Sequence, residues 1–194
     1  MRIAILTGAS SGFGKLTAKR AAEMGGKIVL AARSEEKLKE KLKETVAEIK
    51  AAGGEASYIV TDVAKKDDVF AMAKFAVDTY GRIDVLVNNA GTMPLAFFSE
   101  HEQALDKWEQ CIDISIKGTI FGISAVYDQM IKQGQGQVIN VSSIYAICPV
   151  ASAGVYQVAK MGVQYLAESL RSECQGKIKV TTIKPTGFMK TNLS

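Results

Sequence analysis

The sequence predicts an α/β fold: one doubly wound parallel sheet with helices on both faces. Three observations predict it. Six apolar runs, continuous along their length and not alternating, are separated from one another by stretches of helical periodicity. A glycine-rich turn, "TGASSGFG", joins the first run to the first helix. The three prolines, Pro94, Pro149 and Pro185, fall just beyond the C-terminal ends of the fourth, fifth and sixth runs. In open α/β sheets that edge binds ligands, although loop punctuation alone would also put prolines there.

Taken in order, "RIAILT" is the first strand and a helix follows from about Gly14 to Met24. "KIVLAA" is the second strand. Ser34 opens the second helix, with Glu35 and Glu36 in its first turn, where the helix dipole favours acids. Leu38, Leu42, Val46 and Ile49 recur along it at helical spacing, and Gly53 and Gly54 stop it. "ASYIVTDV" reads as the third strand, "DDVFAMAKFAVDTYG" as the third helix and "IDVLVNNAG" as the fourth strand. Beyond Pro94 comes a long helical region, opened by Ser99 with Glu102 at capping-box spacing. "QVINVSS" is the fifth strand, Ser152 to Cys174 is mostly helix, and "KVTTIKP" is the sixth strand. With neither linker nor repeat, residues 1–194 read as a single domain, a length that suits one core.

Composition narrows the chemistry. The chain is 47% hydrophobic and 23% charged, as a globular protein is, and none of its apolar runs approaches the length of a membrane span. "RIAILTG" runs from the N-terminus into the glycine turn with no room for a signal peptide, so the cytoplasm is the expected location. Three widely spaced cysteines, Cys111, Cys148 and Cys174, suit free thiols in a reducing compartment. The net charge of +4 is mild, and acids interleave with the lysines of "KLKEKLKE", which makes a solvated helix face and not a nucleic-acid patch. The single His101 leaves too few ligands for a Cys/His metal cluster, and a serine-hydrolase triad would need that one residue, in the polar segment "SEHEQ".

The glycine turn carries Gly8, Ser10, Ser11, Gly12, Phe13 and Gly14. A phosphate needs backbone N–H groups at close range, side chains here would hold it off, and the following helix N-terminus adds a favourable dipole. A glycine turn without a ligand would show the same letters, but this one opens a βαβ unit at the first strand of such a sheet. After the second strand, "LAARSEEK" offers Arg33 where an NAD-binding fold usually has an acid. A guanidinium there can grip a 2′-phosphate, so the expected cofactor is NADP. Late in the chain, "YQVAK" puts Tyr156 and Lys160 four residues apart, on one helix face. An ammonium about 4 Å from the phenol would contribute up to about 4 kcal/mol at an effective dielectric near 20. Lys160 is therefore expected to lower the Tyr156 phenol towards neutrality and make it a proton relay.

With "TGASSGFG", "NNAG", a serine after the fifth strand and "YQVAK" in that order, the chain resembles the short-chain dehydrogenase/reductase family over essentially its whole length. The resemblance implies a Rossmann-type sheet and an oxidoreductase that moves a hydride between a nicotinamide and a secondary alcohol, ketone or aldehyde. It implies that Ser143, thirteen residues before Tyr156, is the catalytic serine, holding the substrate oxygen, and that Tyr156 and Lys160 are the acid/base pair. It gives Asp62 and Val63 the adenine, and Asn88, Asn89, Ala90 and Gly91 the sheet and cofactor lining. Lys160 is expected at the nicotinamide ribose, with Pro185 and Gly187 closing the cofactor site. A homodimer or homotetramer is expected by analogy.

Two features depart from the family pattern. Ser115 in "CIDISIKGT" stands where an asparagine is usual, either as a tolerated substitution in the catalytic set or as a brake on the proton relay. A brake would leave an NADP-binding redox sensor as the alternative to an enzyme. The chain also ends at "PTGFMKTNLS", where the family continues for several dozen residues, so the last strand and substrate lid are expected to lie in a longer protein, the alternative being a naturally short protein with an open substrate side. Thr186 breaks the usual proline–glycine pair, which puts Gly187 one place late.

Overall fold

The computed structural model describes residues 1–33 and 36–186. Strands β1 (Ile3–Thr7), β2 (Lys27–Ala32), β3 (Glu55–Val60), β4 (Val85–Asn88), β5 (Gly136–Val141) and β6 (Ile178–Ile183) form one sheet in the order β3-β2-β1-β4-β5-β6. Every pairing is parallel, with Leu6 level with Leu30 and Val87, and Val138 level with Val180. Helices α1 (Gly12–Glu23) and α2 (Glu36–Ala51) cover one face; α3 (Lys66–Tyr80), α5 (Gly118–Gln133) and α6 (Gly154–Glu173) cover the other. A further helix, α4 (His101–Ile112), packs on α6.

The continuous apolar runs follow from this two-sided cover. Ile5 and Val29 point into the α3/α5 side with Met72, Leu86, Val126 and Met130. Leu6 and Leu30, one residue further along each strand, point into the α1/α2 side with Leu42, Val46 and Ile49. Each fully buried branched or aromatic side chain of this kind contributes about 1.5–3 kcal/mol. After β3 the chain crosses to the other side of β1, and that reversal opens a crevice at the C-terminal ends of β1 and β4.

Strands β3 and β4 end sooner than their apolar runs, because side chains take over the hydrogen bonding there. The Asp62 N–H donates to Asp68 Oδ2 (2.9 Å), and the Asn89 and Ala90 N–H groups donate to Thr7 Oγ1 (3.0 and 3.1 Å). The helical region after Pro94 also differs from expectation. A single 3₁₀ turn, Phe98–Glu100, precedes α4, and Glu100 Oε2 accepts from the Phe97 N–H (2.7 Å), where Ser99 and Glu102 were expected to form the box. The Phe98 ring packs on Trp108, with centroids 5.5 Å apart, and so anchors the earlier entry. Between α4 and α5 the helix widens into a π turn, Asp113–Lys117, spanned by a 2.6 Å ion pair between Lys117 and Asp113. The expected start of α2 at Ser34 and Glu35 lies outside the described residues; Glu36 is in its first turn.

Candidate active site

The glycine turn is built for close approach. Gly8 and Gly12 take left-handed backbone angles, φ +64° and +51°. A Cβ on Gly8 would stand 2.8 Å from Ala90 Cα, and one on Gly14 would collide with Gly8 O and lie 2.8 Å from Asn89 Nδ2. The turn is stitched to the end of β4 from both sides. Asn89 Nδ2 donates to Thr7 O (2.9 Å) and Gly8 O (3.2 Å), while Thr7 Oγ1 donates to Val87 O (3.2 Å) and accepts from the Asn89 and Ala90 N–H groups. Ser11 precedes α1 without capping it, and no acid lies in the first turn of α1. Among the described residues no side chain caps the first N–H groups of that helix, which suit an anion.

A cleft of about 420 Å³ runs along this crevice. Gly8, Ser10, Ser11, Gly12, Phe13 and Gly14 form its floor, with Arg33 and Val63 towards the β2–β3 side. Asn89, Ala90 and Gly91 lie in the middle, and Ser143, Tyr156, Lys160 and Pro185 stand towards β5 and β6. Residues far apart in the sequence thus share one wall.

The β5 end is made of buried polar side chains. Lys160, 5% exposed, donates from Nζ to Val141 O (2.9 Å), and Ser142 Oγ donates to Lys160 O (2.8 Å), so α6 and β5 are tied in both directions. Burial pushes the Lys160 ammonium down to about 8, with Cys111 acting weakly the other way. Tyr156 is buried beside it, with the ammonium 5.9 Å from the ring centroid. Here the expectation from sequence needs correction: the Tyr156 phenol is raised, not lowered. Burial raises it most, hydrogen bonding with Ser143 pulls it down, and Cys111 and Tyr145 push it further up. Desolvation dominates because the ring is enclosed by Tyr145, which meets it edge-on at 6.2 Å, and by Cys111 and Ala159. Ser143 is held in place by a 3.2 Å bond from the Tyr145 N–H to its Oγ. A protonated phenol, a hydroxyl and an ammonium facing one cleft can together bind an oxygen atom and hand it a proton.

Two of the expected residues, Asp62 and Ser115, stand apart from this cleft. Asp62 turns its carboxylate to the Ala64 N–H (3.1 Å) and lines an adjoining hollow of about 400 Å³, shared with Arg33, Asp106, Glu109 and Asp113. Ser115 lies in the π turn, 1% exposed, beside the Cys111 thiol. Its hydroxyl faces the Cys111 thiol, which itself donates to Thr92 O (3.4 Å). Gly187 lies outside the described residues. Asn88 acts within the sheet as expected, donating from Nδ2 to Asn140 Oδ1 (2.9 Å). Sequence reasoning missed Thr7, Ser142 and Cys111. Ser142 was adjacent to a chosen serine in "VSS", and Thr7 closed the first strand beside a chosen glycine; nothing in the letters marked Cys111.

The short chain dehydrogenase family profile matches residues 2–194. An uncharacterized oxidoreductase of Listeria monocytogenes is 43% identical over 190 residues, which cover 96% of this chain and 74% of that protein. Another, from Staphylococcus saprophyticus, is 39% identical over 195 residues and is covered to 76% of its length. A crystal structure of a short chain dehydrogenase/reductase from Burkholderia phymatum in complex with NAD superposes with a TM-score of 0.91 at 28% identity, over 99% of this chain and 67% of that one. A metagenomic short-chain oxidoreductase in complex with NADP gives 0.87 at 33% identity, over 95% and 81%.

Proposed function

The chain belongs to the short-chain dehydrogenase/reductase family, and from that premise we propose an NADP-dependent oxidoreductase acting between a carbonyl compound and its secondary or primary alcohol. The observation that carries the reading is the convergence of Ser143, Tyr156 and Lys160 on the same cleft as the glycine turn. The cleft fits a dinucleotide on this chain's own terms. Its floor has no space for a Cβ at Gly8 or Gly14, and a Cβ on Gly91 would lie 3.2 Å from Lys160 Nζ. In this reading the backbone of Gly8–Gly14 and the start of α1 hold the pyrophosphate, and Val63 flanks the adenine, with Asp62 behind it at the rim of the adjoining hollow. Asn89, Ala90, Gly91 and Pro185 line the remainder, and Arg33 takes the 2′-phosphate.

When bound, the nicotinamide supplies or accepts the hydride. Ser143 Oγ hydrogen-bonds the substrate oxygen. The Tyr156 hydroxyl gives that oxygen a proton as it gains charge, and a raised phenol is protonated at neutral pH, which suits the reducing direction. The Lys160 ammonium opposes the negative charge left on the phenolate and reaches the nicotinamide ribose. Oxidation of the alcohol needs the phenolate, so its rate rises with pH until the ammonium is lost above about 8. A cytoplasmic homodimer or homotetramer of one-domain subunits accords with exposed apolar side chains on α4 to α6, among them Leu105, Ile120, Val158 and Tyr165.

A second reading, an NADP-binding redox sensor with little turnover, is favoured by Ser115, which stands where the family usually carries an asparagine. Oxidation of NADPH and of NADH in the presence of ketones and aldehydes tests both. Turnover with preference for NADPH supports the enzyme; binding without turnover supports the sensor; preference for NADH overturns the role of Arg33.

A further inference from the structure

The segment after β5 must hold Ser143 at a fixed distance from Tyr156, which stands on a different element, α6. Ser143–Cys148 is short of regular structure: a single 3₁₀ turn, Ile144–Ala146, with Ile147 and Cys148 exposed beyond it. It carries Ser143 and also Tyr145, whose ring is packed edge-on against Tyr156. At its start, the Ile144 N–H donates to Pro185 O (3.1 Å) and ties the segment to the end of β6. Its far end is held from α6 by one side chain. Gln157 Nε2 donates to Tyr145 O (3.2 Å) and to Cys148 O (2.7 Å), so both hydrogens of its amide are spent on two carbonyls of this segment.

We infer that Gln157, the residue next to Tyr156, is a positioning residue for the carbonyl half of the site: it fixes Ser143 and Tyr145 relative to the Tyr156 hydroxyl. The inference rests on the reductase reading and deepens it. Gln157 does not itself line the cleft. It acts through the backbone of the segment that does, and the two groups it relates are those that must meet one substrate oxygen at once. The role requires donation. Both partners are carbonyl oxygens, so glutamate, which matches glutamine in shape but is an acceptor when ionised, cannot replace it. The glycine turn and Arg33 sit at the ends of β1 and β2, across the cleft from the segment this clamp holds.

The test compares wild-type protein with Gln157→Ala and Gln157→Glu, using the ketone or aldehyde that the wild type reduces fastest. Both variants are expected to lose about tenfold in kcat/KM for the carbonyl, the scale of a lost positioning hydrogen bond. KM for the cofactor is expected to stay within about twofold. Hydrogen exchange followed by mass spectrometry is expected to speed up in peptides spanning 143–148 and to leave β1 and α1 unchanged. A Gln157→Glu protein with wild-type kinetics overturns the inference, because packing alone would then suffice. So does a parallel rise in both KM values, which means general loosening. A variant that does not fold is judged through the other one, and the loss of both folds also overturns the inference in favour of a structural role. Wild-type protein without turnover on any carbonyl overturns the reductase reading itself, an outcome distinct from active wild type with unaltered variants.

Discussion

The two halves of the cleft are built from different materials. The half under β1 and β2 is backbone: glycines at left-handed angles, helix N–H groups, and one asparagine whose amide stitches Thr7 and Gly8. The half under β5 and β6 is buried side chain: Tyr156, Lys160, Ser142 and Ser143, all under 9% exposed. Backbone sites are intolerant of added atoms but indifferent to protonation. Side-chain sites accept changes of shape at their edges, yet every titratable group in them carries a desolvation cost. Binding and chemistry are thereby assigned to separate physical means within one crevice.

Removing the costliest group gives the largest expected separation. Lys160→Met should lose about 10²–10⁴-fold in turnover, the range of acid–base assistance. The same change should stabilise the fold. A lysine held at about 8 is protonated at pH 7 in both folded and unfolded states, and the folded state bears the desolvation. The lowering from 10.5 corresponds to about 3 kcal/mol at most, with each unit worth roughly 1.4 kcal/mol. The sign follows from proton counting. Between pH 8 and 10.5 the unfolded chain binds more protons at this site, so wild-type stability gains from this group as pH rises, and the methionine variant lacks that gain. Thermal unfolding as a function of pH reads both. A methionine variant less stable than wild type at pH 7 breaks this half of the comparison.

Gly14→Ala probes the backbone half. Its Cβ meets Gly8 O and Asn89 Nδ2, neither at the end of a flexible chain. Overpacking of this kind costs about 1–3 kcal/mol, and displacement of the turn should weaken NADPH by about ten- to a hundredfold. Nicotinamide fluorescence measures the loss. Arg33→Ala should be milder and selective: about tenfold weaker NADPH, the worth of one charge-assisted contact, with NADH unchanged. Gly154→Ala is the control in the other half. Its Cβ would only touch the Phe98 ring at 3.6 Å, and alanine is the better helix former. Its activity and stability should stay near wild type; a large loss would mean that the side-chain half is as rigid as the backbone half.

The difference in materials also explains what could be read in the sequence. The glycine turn was legible because its requirement, absence of a side chain, is written in the letters Gly8, Gly12 and Gly14. The succession of strands and helices along the chain and the face shared by Tyr156 and Lys160 followed from periodicity alone. The direction of the Tyr156 shift was not legible. It depends on Cys111, from α4, and the Ser143–Tyr145 segment after β5 closing on a ring carried by α6, so that burial dominates. The π turn at Asp113–Lys117 and the turning of Asp62 towards Ala64 were hidden for the same reason: each is settled by tertiary packing and not by local preference.

The most direct test of the account is Tyr156→Phe, measured for NADPH binding and for NADPH oxidation with the best carbonyl substrate. The phenol is assigned the proton and the glycine turn the cofactor, so turnover should fall by about 10²–10⁴-fold while the dissociation constant for NADPH stays within about twofold. A phenylalanine variant that retains wild-type turnover, or that loses cofactor binding together with activity, would contradict it.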